Sequence, residues 1–293
     1  MSNAPPPPPQ APPPRRPLPV FDTKPASQPR PAAPTPIPRP NLGRVVAVSS
    51  GKGGVGKSTV AVNLAVALAG EGRRVGLMDA DIYGPNLPRM LGAHHAPRVD
   101  ERQNKIIPIE AHGIKFISLG VLIDKEQPAI WRGPIVMKII GQFLGDVEWG
   151  TLDYFIVDMP PGTGDAQLSL VQSTIVHGAV IVTTPQEVAV GDALRGVRMF
   201  QRVNVPVLGI VENMSYFECP HCGKPSPIFG SGGGERLARE LGLPLLARVP
   251  LVPRIVAGGD GGEPIVIAEP ATAAAKAFVT LAGRVSQAMT SDG

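Results

Sequence analysis

The sequence predicts an α/β fold built on a doubly wound, mostly parallel sheet. Three observations carry that expectation. Short apolar runs of strand length recur along the chain, patterned stretches of helix length separate them, and a glycine-rich loop joins the first run to the first helix. Strands covered on both faces read as near-continuous apolar runs. Their alternation with helices argues for parallel strands with helices on both faces of the sheet.

In chain order, "RVVAVSS" (44–50) is the first strand and 57–70 the first helix. "RVGLMDA" (74–80) is the second strand, and "KIIPIEAHGIKFISLG" (105–120) reads as a strand–turn–strand addition. A helix over 133–147 leads to the strand "LDYFIVD" (152–158). A helix over 165–177, the strand "AVIVTT" (179–184), a helix over 188–203 and the strand "PVLGIVE" (206–212) continue the pattern. A last internal helix covers 233–241. Near the C-terminus, Phe278, Leu281, Val285 and Met289 recur at helical spacing as a packing face.

Residues 1–40 are unlike the rest. They hold 17 of the 35 prolines, one acidic residue (Asp22) and five basic ones. Such a segment buries too little apolar surface to offset its ordering entropy, so a disordered tail with polyproline II character is expected there. One domain is expected over 41–293. The tail accounts for the whole formal charge of +4. The domain itself balances, which argues against a nucleic-acid partner. No apolar run approaches the ~18–20 residues needed to cross a bilayer, so no membrane partner is expected. The N-terminus lacks the layout of a secretory signal, and two cysteines build no disulfide framework. A reducing cytoplasm is the expected compartment.

Gly51-Lys52-Gly53-Gly54-Val55-Gly56-Lys57-Ser58 fits G-x-x-x-x-G-K-[ST], with a buried strand before it and a helix after it. Glycines let backbone N–H groups curl around phosphate oxygens, and the helix N-terminus adds its positive end. Lys57 would reach the β- and γ-phosphates of ATP, and the Ser58 hydroxyl would ligate Mg²⁺. Thr59 follows directly and is taken with the loop.

Carboxylates follow at the carboxyl ends of the next strands, where ligands gather in such sheets. Asp158 ends "LDYFIVD" and reads as the Walker B residue that holds Mg²⁺. Asp79 and Asp81 end the second strand. Asp79 is expected to support the site from behind rather than touch the nucleotide. Asp165, in "PPGTGD", is either a helix N-cap or a switch residue.

The only cysteines, Cys219 and Cys222, stand as C-x-x-C in "ECPHCGK". A closed thiolate site usually takes four ligands. Spacing and softness leave three readings open: an iron–sulfur cluster, zinc, or a redox pair. His221 between them reads as a loop residue, and His94-His95 as a chance pair. "FGSGGGERL" (229–237) looks like a second phosphate loop without its lysine, and is expected to be a flexible lead-in to the helix over 233–241.

"SSGKGGVGKST" resembles the deviant Walker A loop of the MinD/ParA/nitrogenase-iron-protein ATPases. The resemblance implies that Lys52 crosses a dimer interface to the partner's phosphates, and that Asp81 orients or deprotonates the attacking water. "DADIYGPNLPRMLG", "WRGPIVMKIIGQFL", "DMPPGTGD", "VTTPQEVAVGDALRGVRMF" and "VENMSYFECPHCG" narrow the likeness. Together they resemble the Mrp/ApbC family of iron–sulfur cluster carrier ATPases, over essentially all of residues 41–290. Many members carry a small N-terminal domain before the ATPase, and here the proline-rich tail stands in its place.

That resemblance implies a homodimer that hydrolyses ATP slowly. It favours iron over zinc at the cysteines. A twofold axis duplicates any residue lying near it, so two copies of Cys219 and Cys222 supply the four thiolates of a bridging 4Fe–4S cluster. It implies apo iron–sulfur proteins and cluster scaffold proteins as partners. It also implies that Asn213 hydrogen-bonds the adenine base, a few residues before the cysteine loop. The competing function is a positioning ATPase of the MinD/ParA type with a structural zinc at the C-x-x-C. That function asks for a basic amphipathic anchor or a basic patch, and neither is legible. A nitrogenase-like electron donor is the third reading.

Overall fold

The computed structural model describes residues 36–81, 84–121, 133–219 and 221–290 (backbone alone at 133, 134, 165 and 166). Residues 1–35, most of the proline-rich segment read as a disordered tail, lie outside the described residues.

After a 3-10 turn at Pro40–Leu42, β1 (Arg44–Ser50) leads into α1 (Lys57–Gly70). β2 (Val75–Asp79) and the single-turn α2 (Leu87–Met90) follow. Four short strands come next: β3 (Arg98–Asp100), β4 (Lys105–Ile107), β5 (Ile109–Ala111) and β6 (Ile114–Ser118). The alternation resumes with α3 (Gly133–Gly145), β7 (Tyr154–Asp158), α4 (Asp165–Ser173), β8 (Gly178–Thr183), α5 (Glu187–Arg202) and β9 (Val207–Glu212). β10 (Phe217–Glu218) and β11 (Pro225–Ser226) form a small hairpin. α6 (Gly233–Leu241), β12 (Leu245–Arg248), α7 (Pro253–Gly261), α8 (Ile265–Ala268) and α9 (Ala273–Thr290) complete the described chain.

Eight strands form one sheet in the order β12-β9-β8-β1-β7-β2-β6-β5. Every neighbouring pair is parallel except β5–β6. The order turns about β1: β7, β2 and β6 lie to one side, and β8, β9 and β12 to the other. The crevice beyond the carboxyl ends at such a reversal is where an α/β sheet holds its ligand.

Both faces of the sheet are covered. Val46 and Val48 of β1 join the core beneath α1 and α9, while Val45 and Ala47 face the core of α3, α5 and α6. The two-sided covering explains the unbroken apolar strands of the sequence. Phe278, Leu281 and Val285 of α9 are fully buried, and α9 packs along α1. No helix among the described residues is long and apolar enough to cross a membrane.

The segment 105–120 departs from a simple strand–turn–strand. Pro108 separates β4 from β5, because proline offers no N–H to a ladder. β4 pairs with β3 outside the main sheet. β5 turns through His112 and Gly113, both at positive φ, and pairs with β6. Two helices stop sooner than the sequence pattern suggests, α3 at Gly145 and α4 at Ser173. Arg39, inside the segment read as tail, donates a hydrogen bond to the Leu144 carbonyl at 2.9 Å.

Candidate nucleotide site and cysteine hairpin

The glycine-rich loop leaves the carboxyl end of β1 and closes on the first turn of α1. Gly54 and Gly56 take the left-handed conformation, at φ +80° and +79°. Gly56 has a second reason to lack a side chain: a Cβ there would lie 2.2 Å from Asn213 Nδ2. That amide donates to the Val55 carbonyl at 2.8 Å and so braces the loop from β9. Asn213 was expected to hold adenine. The structure commits its amide nitrogen to the loop.

The loop residues Lys52, Gly53, Gly54, Gly56, Lys57, Ser58 and Thr59 line a cavity of about 370 Å³ together with Asp81 and Asn213. Arg89 and Asp260 also line it, and its apolar lining comes from Met90, Met214, Leu251, Ile255 and Val256. α2 and α7 supply three of these. Sequence reasoning did not find α7, whose "PRIVAGGDG" has too many glycines to read as a helix. The cavity thus offers both charged and apolar lining, as a nucleotide needs.

Lys57 is buried at the centre of the carboxylates. Its Nζ stands 2.6 Å from Asp158 Oδ1 and 3.6 Å from Asp81 Oδ2. It also lies 3.3 Å from Ser58 Oγ. Asp158 is fully buried, and its Oδ2 finds no hydrogen-bond partner among the described residues. A buried carboxylate oxygen without a donor suits a hard divalent cation.

Asp79 stands behind this group, as expected of a supporting residue. Its Oδ2 accepts from Ser118 Oγ at 2.8 Å and its Oδ1 from the Asp81 N–H at 3.0 Å. Burial, and then the nearby Asp158 charge, push its carboxyl up to about 8. Asp81 is also raised, first by burial, while the Lys57 ammonium pulls the other way. Asp165 opens α4 at its first helical position. Gly164 stands at the N-cap position.

The cysteines lie apart from this cavity, on the β10–β11 hairpin. Cys219 N–H donates to the Lys224 carbonyl at 3.2 Å, and Gly223 N–H to the Cys219 carbonyl at 2.8 Å. Both thiols are free, Cys219 half-buried and Cys222 exposed. The backbone N–H groups of His221 and Cys222 draw the Cys219 thiol below its usual range. Among the described residues no third histidine, cysteine or carboxylate joins them to make a metal site. His221 is exposed at the hairpin tip.

The chain is similar to known proteins. A Synechocystis protein named an iron–sulfur cluster carrier protein is 58% identical over 252 residues, covering 83% of this chain and 71% of its own. An Arabidopsis thaliana protein, named an iron–sulfur protein required for mitochondrial NADH dehydrogenase, is 51% identical, with 82% of this chain and 77% of its own covered. Among solved structures, a nucleotide-binding protein from Archaeoglobus fulgidus in complex with ADP superposes with a TM-score of 0.67 at 40% identity, over 76% of this chain and 87% of that one. The cell-division ATPase MinD of Pyrococcus furiosus gives 0.63 at 25% identity, over 84% and 99%. A family model described as NUBPL iron-transfer P-loop NTPase, of the ParA group, matches residues 41–286. That match spans the phosphate loop, the buried carboxylates and the cysteine hairpin alike, and the chain belongs to the NUBPL iron-transfer P-loop NTPases.

Proposed function

We propose that this protein is an ATP-dependent iron–sulfur cluster carrier, which holds a 4Fe–4S cluster between two copies of itself and passes it to apo-proteins. The observation that carries the reading is the cysteine hairpin. Two free thiols share one short loop, and the described chain offers them no further ligand. A second copy across a twofold axis completes a set of four.

The ATPase steps follow from the chain's own groups. Lys57 exchanges Asp158 for the β- and γ-phosphates, where its charge opposes theirs. Ser58 and Asp158 would hold Mg²⁺, which supplies electrostatic neutralisation of the phosphates when bound. Asp81 takes the proton of the attacking water. Burial makes it a stronger base than an exposed aspartate. Lys52 lines the cavity mouth and reaches the nucleotide of the other copy. Asn213 fixes the loop and meets the base with the rest of its amide. Turnover is slow, because Lys52 acts only in the dimer.

The partners are apo iron–sulfur proteins and cluster scaffold proteins, and the compartment is the reducing cytoplasm, where both thiols stay available. The MinD-type alternative wants a free amphipathic helix near the C-terminus, and α9 spends that face on packing.

Anaerobic reconstitution, with iron, sulfide and zinc counted per chain, tests the proposal. A bridging 4Fe–4S cluster gives about two irons per chain with charge-transfer absorption. About half a zinc per chain and no colour would overturn it in favour of structural zinc.

A further inference from the structure

The glycine run after the cysteine hairpin is not the flexible lead-in the sequence suggested. A Cβ on Gly233 would meet the Pro185 carbonyl oxygen at 2.3 Å, and one on Gly234 would meet Glu212 Cβ at 3.0 Å. Only glycine lets the N-terminus of α6 press this closely on the sheet. The place where such a loop offers its N–H groups to a phosphate is taken by a carboxylate of this chain. Glu212, fully buried at the end of β9, accepts the Gly234 N–H through Oε2 at 2.6 Å. The positive end of α6 and Arg248, whose Nε lies 4.0 Å from Oε1, offset its charge.

The other arm of Glu212 points to the hairpin. Its Oε1 accepts the Ser215 hydroxyl at 2.5 Å. The chain from 212 to 217 is held residue by residue. Asn213 N–H bonds the Thr183 carbonyl at 2.8 Å, Ser215 N–H the Val249 carbonyl at 2.9 Å, and Leu251 N–H the Tyr216 carbonyl at 2.7 Å. Met214 turns the strut at φ +52°. One end carries the Asn213 amide on Val55 of the phosphate loop. The other runs into β10 and Cys219.

We propose that Glu212 is the positioning residue that seats the cysteine hairpin against the nucleotide loop, so that nucleotide occupancy changes the exposure of the thiols. The inference deepens the carrier reading, since it gives the nucleotide a hold on the cargo loop. A movement of the Val55 carbonyl draws on Asn213. Glu212, anchored next door on α6, converts that pull into a rotation at Ser215 rather than a slide of the whole strand. Without its anchor the hairpin is tethered but no longer seated.

The test compares the reduced full chain with Glu212→Gln and Ser215→Ala. Glu212→Gln keeps the shape but removes the carboxylate charge, so the short bonds from Gly234 and Ser215 and the attraction of Arg248 all weaken. The readout is the alkylation rate of Cys219 and Cys222, followed by mass spectrometry without nucleotide and with Mg²⁺ and ADP. A wild-type rate change of about fivefold or more on adding ADP is expected. In Glu212→Gln the nucleotide-free rate should rise about tenfold, and the response to ADP should vanish. Titration with fluorescent ADP should find its affinity within about threefold of wild type, because no phosphate contact is lost. A wild-type rate indifferent to ADP, or a Glu212→Gln response equal to wild type, overturns the inference. If Glu212→Gln does not fold, Ser215→Ala decides by the same readout: it frees only the hairpin arm, and a full ADP response there overturns the inference equally. Iron does not enter this assay. A chain that binds no iron but shows coupled thiols would sink the cargo reading and leave Glu212 its role.

Discussion

Lys57 Nζ lies 2.6 Å from Asp158 Oδ1, and both side chains are buried. The pair occupies the floor of the nucleotide cavity and holds the lysine in place before any phosphate arrives. Lys57→Ala should therefore fail twice. It removes the charge that meets the β- and γ-phosphates, and it leaves Asp158 buried without its cation, a loss of about 3–5 kcal/mol. Thermal melting without nucleotide and ADP titration check the two effects separately. A variant that binds ADP like wild type would remove Lys57 from the site.

Lys52 should behave differently. It is half-exposed at the cavity mouth and makes no salt bridge among the described residues. Lys52→Ala should keep the wild-type melting temperature and nearly all nucleotide affinity. Its steady-state ATPase rate should fall by about 10³-fold or more, as when a finger residue is lost. Equal loss of ATP affinity in Lys52→Ala and Lys57→Ala would count against the cross-dimer role.

Asp79 gives the nucleotide-free protein a pH dependence. Its carboxyl ionises at 3.8 in a free chain and at about 8 in the fold. Between those values the folded state keeps a proton that the unfolded state releases. Its contribution is fully present below pH 3.8 and is lost as the pH rises through about 8. Asp79→Asn is neutral throughout, so its urea midpoint should fall less than that of wild type between about pH 5 and about pH 8. An identical fall in both would assign the slope to other groups.

In the proposed shared site, Cys219→Ala and Cys222→Ala each remove two of four ligands from a dimer. Either single variant should lose its iron almost completely, and the double variant should be no worse, because the ligand set acts as a unit. ATPase activity should persist, since neither thiol lines the nucleotide cavity. Four irons on an isolated monomer would refute the shared site.

The proline-rich segment should be separable at one point and not at another. A chain starting at residue 36 keeps the Arg39 hydrogen bond to Leu144. A chain starting at Asn41 loses it, at a cost of about 1–2 kcal/mol, and should melt about 2–6 °C lower. Both should keep nucleotide binding. A start at residue 36 that melts well below the full chain would show that residues 1–35 stabilise the domain.

Local patterns determined much of this protein without any tertiary information. β1 and α1 fall where the sequence puts them because a phosphate loop needs a strand before it and a helix after it, and Gly54 and Gly56 are legible as backbone that no side chain permits. The apolar runs of β7, β8 and β9 announce a sheet covered on both faces. The C-x-x-C is legible as a ligand pair, though two thiols cannot say which metal they hold. Tertiary structure alone decided the rest. That Lys57 rests on Asp158, that Asp79 keeps a proton, and that α7 walls the nucleotide cavity depend on strands brought together from distant parts of the chain. Glu212 is the clearest case. In sequence it is one acidic residue beside a recognisable asparagine, and the glycine run 22 residues later reads as slack. Folding sets the one at the N-terminus of the helix begun by the other, because a buried carboxylate must find donors, and the first turn of α6 supplies the Gly234 N–H.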